Sequence, residues 1–482
     1  MKLHFIEEPE MSFGTGSHVD IKFGIMNHCV LDFNQNSAPH KVNIGIIGTP
    51  EEIEKFLEWI ELGQNVISAK PSQKRNLFPP FPGFSTHFGF CSEIICDKNN
   101  QRNLPNKDIL DLAKLNNNDK IKDLVELFES EIEYLTSKNH NLNVIICTLP
   151  RVLAKSMSID PEVIDEHDEK PTIQKKVTLD FRRMLKAATQ KYKVPIQIIL
   201  PSTYDTSIKT KFKVGNLAEA SLQDNATIAW NFYTALYYKA GGIPWRLKRD
   251  PHDFQTCFIG ISFYRTLDDT RLQSSVAQIF NERGEGMIIR GGIAKPLKDD
   301  KQIHLDSIES ERLILNSILK YKQEHKHSPA RVVIHKTSDF DQDEIDGITS
   351  AMNIEKIDIF DLISISKSIT RLHRPGKYPP LRGTFWELDN ENKILYTKGS
   401  VEFFQTYPGL YVPKTLKIKI AYTDQSHKSI ASEILALTKM NWNNTQLDNS
   451  LPITIKAARQ VGEILKYIPD DAYIESNYCY YM

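Results

Sequence analysis

Continuous apolar runs separated by helical patterns characterise the first half of the chain. These runs lie at 42–47, 144–149 and 196–200. A helix is predicted from Thr49, because Pro50 suits a first turn and an apolar stripe of helical period follows. Another is predicted at 123–137, and much of the Asn- and Lys-rich stretch 98–122 is predicted to be surface loop and helix edge. Apolar strands separated by helices are typical of a parallel, Rossmann-like sheet.

The pattern changes near residue 250. Strands are then predicted at 258–264, 276–280, 287–290, 331–335 and 357–362, and helices at 308–325 and 343–352. Three strands followed by helix, strand, helix and strand are the order of an RNase H-like sheet. The sequence therefore predicts an α/β protein with two domains: 1–250, Rossmann-like with an N-terminal strand and helix extension, and 251–482, RNase H-like.

Composition adds limits on class and location. The 482 residues carry a net charge of −1 and are 40% hydrophobic, which is typical of a packed globular protein without a general basic excess. No N-terminal signal pattern and no run of about 20 apolar residues is present, so no membrane association is expected. Six scattered cysteines, with no CxxC pair, suit a reduced cytoplasmic protein.

One segment departs from this neutral balance. Residues 171–250 contain fourteen Lys and Arg against five Asp and Glu. An ordinary solvated basic face would account for such an excess. Its position around a predicted strand end and two helices favours an anion-binding surface instead.

Four segments, in order, resemble conserved parts of one family. Residues 231–245, with the turn Lys239-Ala240-Gly241-Gly242, resemble the end of the MID domain of Argonaute proteins. Residues 258–264, 331–335 and 451–459 resemble two strands and the terminal helix entry of the PIWI domain. No preceding segment is expected to hold separate N and PAZ domains. The chain thus resembles a short prokaryotic Argonaute, with a Rossmann-like MID domain followed by an RNase H-like PIWI domain.

The resemblance implies a pocket for the 5′-phosphate of a guide. The positions that match the family's phosphate-binding residues are Arg182, Lys186, Gln197 and Lys239. Arg182 and Lys186 are four residues apart and so share a face of a helix. Ala235 matches a further family lysine and weakens the pocket. The alternative is a basic helix face beside a buried glutamine.

A magnesium ion is a further expectation at this pocket. Some family members bind one through the C-terminal carboxylate, which corresponds here to Met482.

The resemblance also implies that the nuclease site is degenerate. Active family members hold two metal ions with acidic residues, and the matching positions here are Ser262, Thr337 and Arg459. The acidic run 339–344 spaces its carboxylates like a calcium loop but lacks the required glycine and glutamate, so a solvated loop leading into a helix is predicted. The chain is therefore expected not to be an enzyme.

A binding channel is predicted on the remaining surface of this domain. Its expected contacts to the nucleic-acid backbone are Arg371, Arg374, Lys377 and Arg382, in a segment stiffened by Pro and Gly. A basic surface loop without nucleic-acid contacts is the alternative.

The function implied by the resemblance is the sensing half of a prokaryotic immune system. An RNA guide would recognise complementary single-stranded target DNA and activate a partner protein with an APAZ domain. The partner's effector is expected to be sirtuin-like and NAD-depleting, with a TIR domain or a nuclease as alternatives. Two other functions remain open: a guide-directed nuclease with relocated catalytic acids, and a nucleotide-binding regulator, which the Gly14–Ser17 spacing does not support.

Overall fold

The computed structural model describes residues 2–154, 157, 179–205, 212–213, 219–220, 223–250, 253–280, 286–296, 302–375, 379–409 and 412–482. In the first half the elements are β1 Lys2–Phe5, β2 Met11–Ser12, β3 Ser17–His18, α1 Ile21–His28, β4 Lys41–Gly48, α2 Pro50–Gly63, β5 Phe84–Ser85, β6 Phe88–Gly89, β7 Glu93–Ile95, β8 Gln101–Asn103, α3 Asn106–Ala113, α4 Asn117–Lys138, β9 Val144–Thr148, α5 Arg151–Ala154, α6 Phe181–Thr189, β10 Ile196–Ile199, α7 Pro201–Tyr204, β11 Phe212–Lys213, β12 Glu219–Ala220, α8 Asn225–Lys239 and β13 Arg246–Leu247. In the second half they are β14 Thr256–Arg265, β15 Leu272–Phe280, β16 Gly286–Ile293, β17 Lys295–Pro296, β18 Ile303–His304, α9 Ser307–His325, β19 Arg331–Lys336, α10 Gln342–Glu355, β20 Ile359–Ser368, β21 Thr384–Glu387, β22 Asn392–Leu395, β23 Thr415–Tyr422, α11 His427–Leu437 and α12 Ile453–Leu465.

The first sheet is parallel and has the order β10-β9-β4-β7, with β8 also paired to β4. Three neighbouring strands of this sheet, β10, β9 and β4, are the three apolar runs of the sequence, and all five side chains of β9 are buried. Burial on both faces explains why these strands are continuously apolar rather than alternating. The Rossmann-like prediction is confirmed.

The Asn- and Lys-rich segment is more ordered than predicted. Most of it forms a 3₁₀ turn, β8, α3 and the start of α4. Ile109 and Leu112 of α3 are buried, since their spacing of three places both on the helix face that meets α4 and α5. The surface-loop part of the prediction was wrong, because the exposed polar residues Asn106, Lys107, Asp108 and Asp111 belong to the solvent face of a short amphipathic helix.

The second sheet has nine strands in the order β1-β21-β22-β23-β20-β19-β14-β15-β16. Its centre is parallel, with β14, β19 and β20 side by side, while β15, β16 and β23 run antiparallel to their neighbours. Alternate residues of the central strands face two different cores: Phe258 packs with residues of α11 and α12, and Ile259 packs with residues of α9 and α10. Helices on both faces of this strand order confirm the RNase H-like prediction.

The N-terminal strand belongs to the second sheet, whereas the predicted boundary assigned it to the first domain. Lys2–Phe5 pairs antiparallel with β21 at the sheet edge. Just beyond it, the Glu8 carboxylate binds Arg382, at 3.0 Å, and Lys439. Both of these cations are buried, so this ion cluster fastens the start of the chain to the second half.

None of the helices in the described part of the chain combines the length and the apolar character that a membrane span needs.

Candidate nucleic-acid interface

Helix α6 places two of the predicted phosphate-binding cations together. The helix begins at an Asp180 cap, whose carboxylate accepts a hydrogen bond from the Arg183 N–H at 2.9 Å. Arg182 and Lys186 follow one turn apart on the same face. Lys186 is buried and Arg182 is half-buried.

The end of α8 brings the third cation to the same place. The Lys239 ammonium donates to the Ile196 carbonyl at 3.0 Å, to the Gln197 side-chain oxygen, and to a main-chain oxygen of Met482 at 3.2 Å. The structure therefore unites the four predicted phosphate-binding residues around the start of β10, together with Met482, which was predicted as a magnesium ligand at the same pocket.

The turn after Lys239 is held by a residue that the sequence analysis missed. The helix ends at Lys239, and two residues later Gly241 has a φ of +96°, a conformation that favours glycine. The buried Asp32 carboxylate then accepts hydrogen bonds from the Tyr237 hydroxyl at 2.6 Å and from the Ile243 N–H at 2.9 Å. Asp32 lies more than 200 positions away, and no local signal could have identified its role.

The cluster of cations lacks acidic side chains as ion-pair partners. Arg182, Lys186 and Lys239 form no ion pair with an Asp or Glu side chain in the described part of the chain, and Lys239 donates only to oxygens of Ile196, Gln197 and Met482. Burial, then the charges of Arg182 and Lys239, hold the pKa of Lys186 well below its ordinary value. Burial and the charge of Arg182 lower the pKa of Lys239 to about 7. Converging, partly desolvated cations that are not paired with acidic side chains make a site for an anion.

The donor set does not fit the expected magnesium ion. Magnesium requires oxygen ligands, mainly carboxylates and water. Here the Met482 oxygen already accepts from Lys239, and the surrounding charges are positive. Among the described residues, the one group with metal-ligating side chains in reach of each other is His304, Asp341 and Glu344 of the second half.

The three positions that match family nuclease residues also come together. Ser262 is buried on β14, and Thr337 follows β19 directly, with its N–H on the Ile261 carbonyl at 3.2 Å. The parallel register, which pairs Ile261 with Lys336, places Ser262 level with Thr337.

Helix α12 carries Arg459 over this point. A Cβ at Gly260 would lie 2.1 Å from the Thr454 carbonyl, so only glycine allows the helix to approach β14 so closely. The Ser275 hydroxyl donates to the Ala458 carbonyl at 2.8 Å and binds the same helix to β15. The three positions that were predicted to match the family's metal ligands therefore hold two hydroxyls and a guanidinium.

Neighbouring acidic residues are engaged elsewhere. Asp341 caps α10 and forms a reciprocal capping box with Glu344, as the predicted loop entering a helix requires. Glu344 is buried rather than solvated, where it accepts from Lys336 and contacts His304 at 3.0 Å. Asp339 pairs with Lys419 at 3.2 Å. Each carboxylate thus already has a cation or a capping role.

The four residues that were predicted to contact the nucleic-acid backbone differ in their surroundings. Arg382 was wrongly predicted to face nucleic acid, because it is buried and binds Glu8, the Leu435 carbonyl and the Thr438 hydroxyl. The cations and the Pro- and Gly-rich character of residues 371–383 suggested a binding surface, but residues 379, 380, 382 and 383 at the end of this segment are buried. Arg371 and Arg374 are half-buried and donate to carbonyls of their own segment. Lys377 lies outside the described residues.

Comparisons with known proteins agree with this architecture. The Piwi domain model matches residues 172–468. Among solved structures, Clostridium butyricum Argonaute bound to a guide DNA and a 19-mer target DNA aligns with a TM-score of 0.63 and 18% identity, covering 98% of this chain and 54% of that chain. Drosophila Piwi aligns with a TM-score of 0.59 and 12% identity, covering 99% and 56%. Marinitoga piezophila Argonaute in complex with 5′ OH guide RNA gives 0.55 and 15%, covering 97% and 60%.

These similarities have low sequence identity and cover only part of the solved structures. Identities of 12–18% show a shared fold alone, and this chain spans 54–60% of the length of those structures. A comparison with curated protein sequences gave no match. The family model covers more than half of the chain, and the chain belongs to the Piwi-domain family, with an Argonaute-like fold.

Proposed function

We propose that this protein binds a short guide nucleic acid by its 5′-phosphate and uses the guide to recognise a complementary target strand. The observation that carries the proposal is the convergence of Arg182, Lys186 and Lys239, none of which forms an ion pair with an Asp or Glu side chain in the described structure. A terminal phosphate carries nearly two negative charges and several acceptor oxygens. It is therefore complementary to the cluster in both charge and hydrogen bonding.

The expected energy of such an anchor is substantial. A hydrogen bond between a charged group and phosphate contributes about 1.5–3 kcal/mol. Two or three of them would distinguish a phosphorylated guide from a hydroxyl guide by a factor of about a hundred or more, since 1.4 kcal/mol is a factor of ten. The solved relatives include complexes with guide DNA and with guide RNA, and we propose RNA for this chain.

We further propose that the protein does not cut the target. Two-metal cleavage needs carboxylates that hold both ions, and Ser262, Thr337 and Arg459 offer hydroxyls and a positive charge. Of the acids that follow Thr337, Glu344 is engaged with Lys336 and Asp339 with Lys419. These ion pairs count against the alternative of a nuclease with relocated acids.

The output would then come from a partner. We propose that target recognition activates an APAZ-domain effector, sirtuin-like and NAD-depleting in preference to a TIR domain or a nuclease, in the cytoplasm as defence against plasmids or phage. This part rests on the family resemblance. Coexpression with the candidate partner, followed by an NAD-loss assay with matched and mismatched target DNA, tests it: NAD loss that ignores the target sequence would contradict target sensing.

The guide anchor is tested with paired ligands. Dissociation constants are measured for guides of one sequence with a 5′-phosphate or a 5′-hydroxyl, first on the unmutated protein. We expect tighter binding of the phosphorylated guide, and loss of that preference in Lys186→Ala with Lys239→Ala. Lys191→Ala is the matched control, because Lys191 is an exposed cation just beyond α6 that pairs with Glu129 at 2.8 Å. Equal affinity of both guides for the unmutated protein would contradict the proposal.

A further inference from the structure

Cys29 and Cys91 are far apart in the sequence but lie next to each other in the first half of the chain, which also contains the predicted phosphate-binding residues. Cys29 ends α1, and Cys91 closes the turn after β6. The Val30 N–H donates to the Gly89 carbonyl at 2.9 Å, which holds the two segments together. Both thiols are free and half-buried.

The thiols also affect each other. Burial, the adjacent Cys29 thiol and a hydrogen bond with it raise the pKa of Cys91 to about 12. Both residues have left-handed backbones, with φ of 59° at Cys29 and 52° at Cys91. Such conformations are costly for residues other than glycine and persist where surrounding contacts impose them. In this protein, both of the cysteines whose thiols lie next to each other have this backbone conformation.

We propose that Cys29 and Cys91 form an oxidation-sensitive pair that closes an intramolecular disulfide. With hydrogen peroxide as oxidant, the Cys29 thiolate attacks one peroxide oxygen, the O–O bond breaks, and a sulfenic acid and hydroxide form. The Cys91 sulfur then attacks the Cys29 sulfur, the S–S bond forms, and the S–O bond breaks. The two thiols lose two electrons and two protons in total, and the peroxide becomes two water molecules.

The high pKa of Cys91 assigns its place in this sequence. Cys91 stays protonated at neutral pH and is therefore a poor first nucleophile. It acts as the second thiol, because oxidation of Cys29 removes the thiol whose charge and hydrogen bond help to raise the pKa of Cys91, and its proton leaves with the departing hydroxide as water.

The pair is positioned to influence the phosphate site. Phe90, next to Cys91, packs against Tyr237 with ring centroids 5.9 Å apart. Burial and Asp32 raise the pKa of Tyr237, and Cys91 contributes to this shift. Tyr237 and Asp32 hold the turn that follows Lys239. A bond between the two sulfurs pulls their segments together and displaces this support.

Peptide mapping without reductant tests the disulfide. Full-length protein is treated with hydrogen peroxide, blocked with an alkylating agent and digested. We expect a peptide pair linked through Cys29 and Cys91 that is absent in Cys29→Ser and retained in Cys96→Ser, a control at another half-buried cysteine. Recovery of both residues as alkylated thiols, or linkage of either to another cysteine, would overturn the proposal.

The effect on guide binding rests on the proposed function and is measured separately. We expect oxidation to weaken binding of the 5′-phosphorylated guide about fivefold or more, the lower range of allosteric couplings, and the same treatment to leave Cys29→Ser unchanged. If the reduced protein binds no guide, the proposed function fails and the disulfide result stands. If the disulfide forms and affinity does not change, the coupling to the phosphate site is refuted.

Discussion

Replacing Lys186 by methionine should stabilise the protein and damage its function. The Lys186 side chain is 3% exposed and has no hydrogen-bond or ion-pair partner among the described residues. Methionine has a similar length and is a good helix former, so it fits α6 without leaving a cavity. Removing an uncompensated buried charge should raise the free energy of unfolding of the guide-free protein by about 1–4 kcal/mol, the range found when buried charges become apolar.

Guide binding should change in the opposite direction. The variant loses one charge-assisted hydrogen bond to the phosphate, about 1.5–3 kcal/mol, and so its affinity for a phosphorylated guide should fall about ten- to a hundredfold. Affinity for a hydroxyl guide should change little, because that guide lacks the group that the ammonium binds.

Two assays test this pair of effects. Urea denaturation gives the free energy of unfolding, and fluorescence anisotropy gives both dissociation constants. Lys191→Met is the control, since an exposed lysine in a surface ion pair should change stability by less than about 1 kcal/mol. A Lys186→Met protein that is less stable than the unmutated one, and that still prefers the phosphorylated guide, would refute the assignment of an uncompensated anion site.

Three further predictions follow from the ion pairs and the lowered pKa values. The pKa of Lys239 is about 7 in the folded protein and therefore lies below its ordinary value of 10.5. Denaturation measured from pH 7 to 10 should show that the guide-free protein becomes more stable as the pH rises, while the dissociation constant of a phosphorylated guide increases over the same range. A free energy of unfolding that does not change with pH would contradict the lowered pKa. Glu8→Gln leaves two buried cations unpaired and should lower the free energy of unfolding by about 3 kcal/mol, whereas Glu7→Gln, at an exposed position, should have little effect in the same denaturation. Incubation with guide, matched target and Mn²⁺ should yield no cleavage product, and a product that disappears in Glu344→Gln would show that relocated acids are active.

Local sequence determined most of the architecture. Apolar runs and helical stripes depend on which of several neighbouring residues are buried. The period of the apolar residues was therefore sufficient to predict the parallel strands and the RNase H-like order of elements. The same holds for Arg182 and Lys186, whose spacing of four residues places them together on any helix. The exception, α3, was missed because its apolar face is only two buried residues wide.

Charge state and accessibility, in contrast, were decided by the tertiary structure. Arg382 is a basic residue, yet it is buried and paired with Glu8, which lies 374 positions away in the sequence. The phosphate-site cations are a candidate anion site because no Asp or Glu side chain among the described residues forms an ion pair with them, and this depends on how α6, α8 and β10 pack.

The sequence by itself determined the strands, helices and the residue types at each matched position of the phosphate and nuclease sites. Only the fold decided which of those side chains are buried, paired or left uncompensated, including the contact between Cys29 and Cys91. The physical reason is that element formation depends on neighbours within a few residues. Desolvation and pairing depend on groups that approach in space from anywhere in the chain.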